Sequence, residues 1–302
     1  MLRDEVQIVP EQRQTRDAFG FKWARRHSYA SMEVEAATRC WLVERYGDLS
    51  RPEAWLRFGE APVVLDAGCG AGFTARLLLG DMLRGVRYVG VDLSEAVELA
   101  AENFACERLP GVFLQADLCT LPLPERAIDF IYSEGVMHHT PSTKAALLAL
   151  SRHLKPGGVI AFYVYARKGP IREASDDLIR ARLASLSPAE AWELLMPLTK
   201  LGKALGELNA AVDVPEDVAL LGIPKGRIDV QRLIYWYFCK MYYRPDYSFD
   251  EMNHVNFDWF MPAYSHRQTP EEVRAWCEEA GLGIERMRVE EAGITTMAVR
   301  GG

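Results

Sequence analysis

The stretch Val63-Val-Leu-Asp-Ala-Gly-Cys-Gly-Ala-Gly-Phe73 constrains this chain more than any other. A short apolar, β-branched run ends at Asp66; three glycines follow at Gly68, Gly70 and Gly72, and an amphipathic run opens at Phe73. That order predicts a strand, a tight glycine turn and a helix N-terminus, where a ligand can approach bare backbone. A dinucleotide site wants its third glycine at position 73, where this chain has Phe. Asp66 would also set negative charge beside a pyrophosphate, whereas a cationic ligand gains from it. Cys69, inside the loop, reads as a small packing residue rather than a nucleophile.

Three more strand-and-loop units follow. Arg87 to Asp92 reads as a second buried strand ending in a carboxylate, roughly 26 residues after Asp66, where it can accept from both hydroxyls of a ribose. Ser94 is the expected N-cap of a helix running to about Glu107. Val112 to Asp117 reads as a third strand, again closed by Asp. Ala127 to Ser133 is the fourth, with Ser133 to His139 as its loop and Asp129 as a structural residue at its far end. Lys155-Pro-Gly-Gly158 predicts a turn that stops a helix and feeds a strand from Val159 to Tyr165. Alternating β and α units predict a parallel, doubly wound sheet with ligands at the carboxyl ends of its strands.

These four motifs, in this order over residues 61–166, resemble the cofactor half of class I S-adenosylmethionine-dependent methyltransferases. The resemblance implies an α/β fold: a doubly wound, mostly parallel, seven-stranded Rossmann-like sheet with an antiparallel last strand. It implies S-adenosylmethionine as cofactor and S-adenosylhomocysteine as product. Carried over residue by residue, Asp66, Gly68, Gly70 and Gly72 form the cofactor loop, and Asp92 with Leu93 meets the ribose. Asp117 takes the adenine amino group with the backbone of Leu118 beside it, and Ser133 borders the same site. Many members fold an N-terminal helical extension over the cofactor. The Phe19-Gly-Phe-Lys-Trp23 string is similar to such extensions, which makes Trp23 and Tyr29 candidate cofactor contacts.

Around this core the sequence suggests an N-terminal helical extension at 1–60, a core at 61–166 and 268–302, and an inserted substrate-capping subdomain at 167–267. Met32, Ala36, Ala37, Cys40, Trp41 and Val43 recur with helical spacing from about Ala30 to Tyr46. The helix that should follow the fifth strand is delayed to Thr269, where Pro270 and Glu272 predict a capping box and Gly281 a stop. Leu282 to Arg300 reads as two strands joined at about Ala292-Gly293, hence an antiparallel pair. Twelve of the chain's 31 aromatic residues fall between Tyr235 and Tyr264, which suits a helical core and equally a pocket. Trp259, Tyr264, His266 and Arg267 offer aromatic, titratable and anion-binding groups for a polar or acidic small molecule.

A net charge of −7 argues against broad nucleic-acid binding. No apolar run reaches the roughly 18–20 residues that span a bilayer, so no stable membrane association is expected. The opening Met1-Leu-Arg-Asp-Glu-Val lacks a signal-peptide pattern. Six cysteines without close pairs suit a reducing cytoplasm, and no metal site is expected. Oligomeric state is not readable.

Because a sulfonium already makes the methyl group electrophilic, positioning is the larger task, and a base is needed only for a nucleophile that sheds a proton. His138 and His139 are the first acid/base candidates, with His266 the second; one of the paired histidines often packs structurally in such loops. Glu134 could face the cofactor or a basic acceptor. The reading is a methyltransferase acting in line on oxygen, nitrogen or carbon of a small molecule. Transfer of another group from the same or a modified cofactor, of aminocarboxypropyl or carboxymethyl type, stays open. So do a lipid-like acceptor and a non-catalytic interaction protein that keeps only the fold.

Overall fold

A computed structural model describes residues 2–3 and 8–302 of the chain. Its strands are β1 (Leu2–Arg3), β2 (Val63–Ala67), β3 (Arg87–Asp92), β4 (Val112–Gln115), β5 (Ile128–Glu134) and β6 (Leu154–Tyr165), then β7 (Ala211–Val214), β8 (Gly226–Asp229), β9 (Leu282–Val289) and β10 (Gly293–Arg300). Its helices are α1 (Pro10–Ala24), α2 (Met32–Tyr46), α3 (Phe73–Leu79), α4 (Ala96–Cys106), α5 (Thr143–His153), α6 (Pro170–Leu183), α7 (Pro188–Glu207), α8 (Val230–Tyr237), α9 (Phe249–Phe260) and α10 (Pro270–Glu279).

The main sheet runs β1-β4-β3-β2-β5-β6-β10-β9. β1 to β6 pair in parallel, while β10 is antiparallel to both β6 and β9. This is the expected seven-stranded Rossmann-like sheet with an antiparallel last strand; the two-residue β1 adds an eighth member at one edge. The strand order reverses at β2, so the loops after β2 and β5 diverge there and leave a crevice at the carboxyl ends.

By internal contacts the residues divide into two compact units: Met1–Ala24, Glu35–Ala166 and Tyr264–Gly302 form one, and Arg25–Val34 with Arg167–Ala263 the other. In the first unit, alternation along the strands sorts side chains onto two faces. Leu65, Ala67, Val91, Ile131, Ile160 and Phe162 pack into one apolar cluster with Ala146, Leu147 and Leu150 of α5 and Val273 and Cys277 of α10. The other face carries larger rings: Tyr46 of α2 meets Tyr132, Trp41 meets Tyr163, and Trp55 meets Phe130.

Four local readings need correction. The α2 stripe buries Val34, Leu42, Arg45 and Tyr46 instead of the apolar positions expected, while Met32 is 80% exposed. Arg45, outside the expected stripe, takes a place on the buried face: its guanidinium lies 4.0 Å from each of the Trp41 and Tyr163 rings and donates to Thr295 at 2.8 Å. Ser94 lies one residue before the N-cap position, which Glu95 occupies without a side-chain cap bond; the Ser94 hydroxyl donates to Asp92 at 2.7 Å and accepts from the first amide of α4, that of Ala96, at 3.3 Å. β4 stops at Gln115, and Asp117 instead caps a short 3₁₀ turn by accepting from the Cys119 amide. β6 already begins at Leu154, so Lys155 to Gly158 is a register irregularity inside a strand, pinned by the Lys155–Asp129 ion pair at 2.8 Å. The Thr269 capping box with Glu272 is formed as expected.

The second unit packs α7 against α9, with Trp192 facing Phe257 at 5.5 Å. Between those helices Thr199 donates to Asn253 at 2.6 Å and accepts from Asn256 at 2.8 Å, so their buried polar atoms are matched. Arg172 and Asp176, each 1% exposed, pair at 2.8 Å one turn apart on α6. Among the described residues no helix is long and apolar enough to cross a membrane.

Core and surface leucines of the first unit separate cleanly. Leu150→Ala, at a fully enclosed position, is expected to cost about 2–5 kcal/mol in denaturant unfolding. Leu56→Ala, at a site 78% exposed, should stay within about 0.5 kcal/mol. Equal losses would show that the sheet and α5 do not form the core described.

Candidate functional site

The glycine loop between β2 and α3 is held from below by β3: the amides of Gly68 and Cys69 both donate to the Val91 carbonyl, at 2.7 and 2.9 Å. That tight turn requires Gly68 at φ +92°, and a Cβ there would lie 2.3 Å from the Val136 side chain. Gly70, also at positive φ, has the Trp23 indole across it, where a Cβ would fall 2.6 Å from the ring. α1 therefore runs over the loop, and Trp23 covers its middle glycine.

Three carboxylates gather at the ends of β2, β3 and β4. Asp66 is 1% exposed and accepts from the Tyr88 hydroxyl at 2.6 Å. Burial pushes its carboxyl up to about 7, against the Tyr88 hydrogen bond, and the nearby Asp92 charge adds to the rise. Asp92 accepts from the Gly70 amide at 2.8 Å and from the Ser94 amide and hydroxyl at 2.8 and 2.7 Å. Burial raises this carboxyl too, opposed by those hydrogen bonds and the Lys22 ammonium. Asp117 takes a 2.6 Å hydrogen bond from Gln12.

Gln12 and Lys22 are site residues that pattern reading missed. They lie with Thr15 and Ala18 on the buried stripe of α1. A polar stripe at helical spacing reads as a solvated face, so sequence held no signal for them except that spacing.

Beyond β5, Ser133 donates to the Ala67 carbonyl at 3.0 Å and ties two strands together. Leu93 accepts from Gln115 through its carbonyl at 3.1 Å, and Leu118 is buried. Gly72 precedes α3 at positive φ, where a Cβ would fall 2.9 Å from the Phe104 ring. Glu134 accepts from the Tyr46 hydroxyl, and burial, opposed by Arg45 and Tyr46, leaves its carboxyl at about 7.

His138 is enclosed, its ring 3.7 Å from that of Tyr165. His139 places Nδ1 2.7 Å from the Tyr264 carbonyl, which can only accept; Nδ1 must carry the proton and Nε2 is the basic nitrogen. By the same logic His266, whose Nε2 lies 3.1 Å from the Thr140 carbonyl, has its lone pair on Nδ1. Tyr264 stacks on His266 at 5.9 Å, and Arg267 follows, half-buried, in the same unit. The structure thus brings His138, His139, Tyr264 and His266 together. Tyr29 and Trp259 fall in the second unit: Tyr29 lies 5.5 Å from His254, and Trp259 donates to Asp176 at 2.8 Å. No group of three or more potential metal ligands occurs among the described residues.

Acceptor-rich strand ends around a glycine turn suit a ligand rich in hydroxyl, amino and cationic groups, and repel a phosphate. Such a crevice defines a nucleoside-type cofactor site on a Rossmann-like sheet. S-adenosylmethionine fits it: Asp92 and Asp117 offer acceptors for hydroxyl and amino protons, Asp66 offers charge opposite in sign to its ammonium and sulfonium, and Gly70 leaves room where a Cβ would not.

Residues 65–162 match the family model of a methyltransferase domain. The chain is 36% identical over 106 residues to a tRNA U34 carboxymethyltransferase of Hydrogenovibrio crunogenus, covering 32% of this chain and 30% of that protein. It is 34% identical to a malonyl-[acyl-carrier protein] O-methyltransferase of Serratia marcescens, covering 37% of this chain and 42% of that protein. Both matches fall well short of two-thirds of the relative's length. It is also 32% identical to a trans-aconitate 2-methyltransferase of Variovorax paradoxus, covering 57% of this chain and 69% of that protein. The chain belongs to the class I S-adenosylmethionine-dependent methyltransferases.

The raised carboxyls set a pH dependence. Between the unfolded value near 3.8 and the folded value of about 7, Asp66 holds a proton in the native state that it loses on unfolding. Stability therefore falls as pH rises through that window. Asp66→Asn should flatten the slope in urea unfolding between about pH 4.5 and 7; an unchanged slope would reject the assignment. A cationic ligand favours ionised Asp66, so calorimetric S-adenosylmethionine affinity should increase from pH 6 to pH 8.

Proposed function

We propose that this chain transfers a methyl group from S-adenosylmethionine to an oxygen, nitrogen or carbon nucleophile of a small molecule. The observation that carries the reading is the set of Asp66, Asp92 and Asp117 at the ends of three neighbouring parallel strands around the glycine turn. In this reading Asp92 and the Leu93 backbone hold the ribose. Asp117 and Leu118 hold the adenine, Trp23 lies over the glycine turn, and Ser133 fixes the strand spacing beneath. The cofactor supplies an electrophilic methyl on a sulfonium leaving group. The chain's residues then have two tasks, alignment and proton removal. Alignment can contribute on the order of 7–11 kcal/mol. For an acceptor that sheds a proton, His139 takes it at Nε2, because Nδ1 is committed to the Tyr264 carbonyl. The rigid enclosure of His138 against Tyr165 suits a positioning role.

A small acceptor is supported by the relative whose name gives trans-aconitate as its substrate. The carboxymethyltransferase relative favours a second reading, in which the transferred group is a carboxymethyl from a modified cofactor.

Incubation of the protein with methyl-deuterated S-adenosylmethionine and a small-molecule cell extract should yield a product heavier by the labelled methyl, seen by mass spectrometry. Cofactor binding without label would favour the second reading; neither binding nor label would overturn the first. His139→Ala should lower kcat by about 10²–10⁴ for a protonated acceptor while retaining cofactor affinity. Normal turnover would remove the base assignment. Asp92→Ala should weaken cofactor binding several-fold or more with circular dichroism unchanged.

A further inference from the structure

One face of α1 touches both the strand-end acids and the loop histidine of the first unit. Gln12, Thr15, Phe19 and Lys22 recur at spacings that place them in one line along a helix. Gln12 donates to Asp117 at 2.6 Å, and Trp23, next to Lys22, covers Gly70. Thr15 accepts at Oγ1 from the Tyr264 amide at 3.3 Å. The Phe19 ring meets the His139 ring edge-on, with centroids 4.9 Å apart and planes inclined at 65°. The Lys22 ammonium lies 5.3 Å from the centre of the Phe19 ring and 4.6 Å from that of Trp23.

Thr15 and Phe19, one turn apart, thereby act on the two ends of one hydrogen bond. The Tyr264 carbonyl receives the Nδ1 proton of His139 at 2.7 Å, and that bond makes Nε2 the basic nitrogen. Thr15 holds the residue that accepts. Phe19 bears on the ring that donates, together with Tyr165 at 5.5 Å and His138 at 4.2 Å. Rotation of an imidazole about its second side-chain torsion carries Nδ1 on or off such a carbonyl, and rings packed against it limit that rotation.

We propose that Thr15 and Phe19 are positioning residues for methyl transfer: they fix the acceptor and the donor of the His139–Tyr264 hydrogen bond, and so keep Nε2 basic and in place while α1 lies on the strand-end acids. The inference rests on the reading of His139 as the base. Gln12 and Trp23 seat the same helix on the acid and the glycine turn assigned to the cofactor, so cofactor site and base share one rigid element. Misplacing a group by about 1 Å can cost about 10²-fold in rate.

The test is NMR of the full chain labelled with ¹⁵N-histidine, at about pH 8.5 where imidazoles are neutral. Proton–nitrogen correlations across the ring report which nitrogen carries the proton, and His139→Ala assigns the signal. The wild type should show His139 as the Nδ1–H tautomer. Phe19→Ala and Thr15→Val should each turn it into a mixture, whereas Phe19→Tyr and Thr15→Ser, which keep the ring and the hydroxyl, should retain it. With methyl-labelled S-adenosylmethionine and cell extract, the first two variants should lower kcat by about 10²-fold, with calorimetric cofactor affinity unchanged. A mixed tautomer in the wild type, or a tautomer unaltered in both Phe19→Ala and Thr15→Val, would overturn the positioning role. Should Phe19→Ala fail to fold, the contrast between Thr15→Val and Thr15→Ser decides alone. The tautomer is read without any acceptor, so absence of labelled product counts against the methyl-transfer reading and an unaltered tautomer against this inference.

Discussion

Negative charge buried at the carboxyl ends of parallel strands is the constraint around which the first unit is organised. Asp66, buried, and Asp92, half-buried, lie two residues apart in strand register, and the Asp92 charge adds to the cost of ionising Asp66. The chain meets that cost with donors brought from elsewhere: the Tyr88 hydroxyl on Asp66, and the Gly70 and Ser94 amides on Asp92. A carboxylate left in this state is stabilised most by a ligand that carries positive charge and hydroxyl donors. The site's chemistry is thus a consequence of where the sheet leaves its acids.

The N-terminal helix answers the same constraint. Gln12 donates to Asp117, and Lys22 lies within electrostatic reach of Asp92 while packing over Phe19 and Trp23. α1 thus docks on the sheet through a polar stripe rather than an apolar one. Its neighbour α2 does something similar by burying Arg45 between two rings. In both helices the buried face holds groups matched to specific partners, and each position tolerates little change because removing one partner strands a buried polar group. The second unit repeats the theme in Arg172 and Asp176.

Much of the core was legible before any coordinates. The β2 run, its three glycines and the strand-closing Asp66 and Asp92 are local patterns, set by steric limits on the turn and by burial along a strand. The capping box at Thr269 and the closing hairpin were legible for the same reason. The end of β4 and the α2 stripe were read wrongly: Asp117 turns the chain out of the strand by accepting from the Cys119 amide two residues on, and in α2 the contact of Arg45 with two rings outweighs the apolar pattern.

The sequence by itself determined the order of strands and helices, the glycine turn, and the identity of the acids at the strand ends, since these follow from periodicity and backbone sterics within a few residues. Only the tertiary structure decided which histidine nitrogen is basic, that Gln12 and Lys22 serve the strand-end acids, and that Lys240 lies on Trp259. Each of these depends on groups from 19 to 125 residues apart. Distances of that length along the chain leave no periodic trace, because they are set by how whole elements pack.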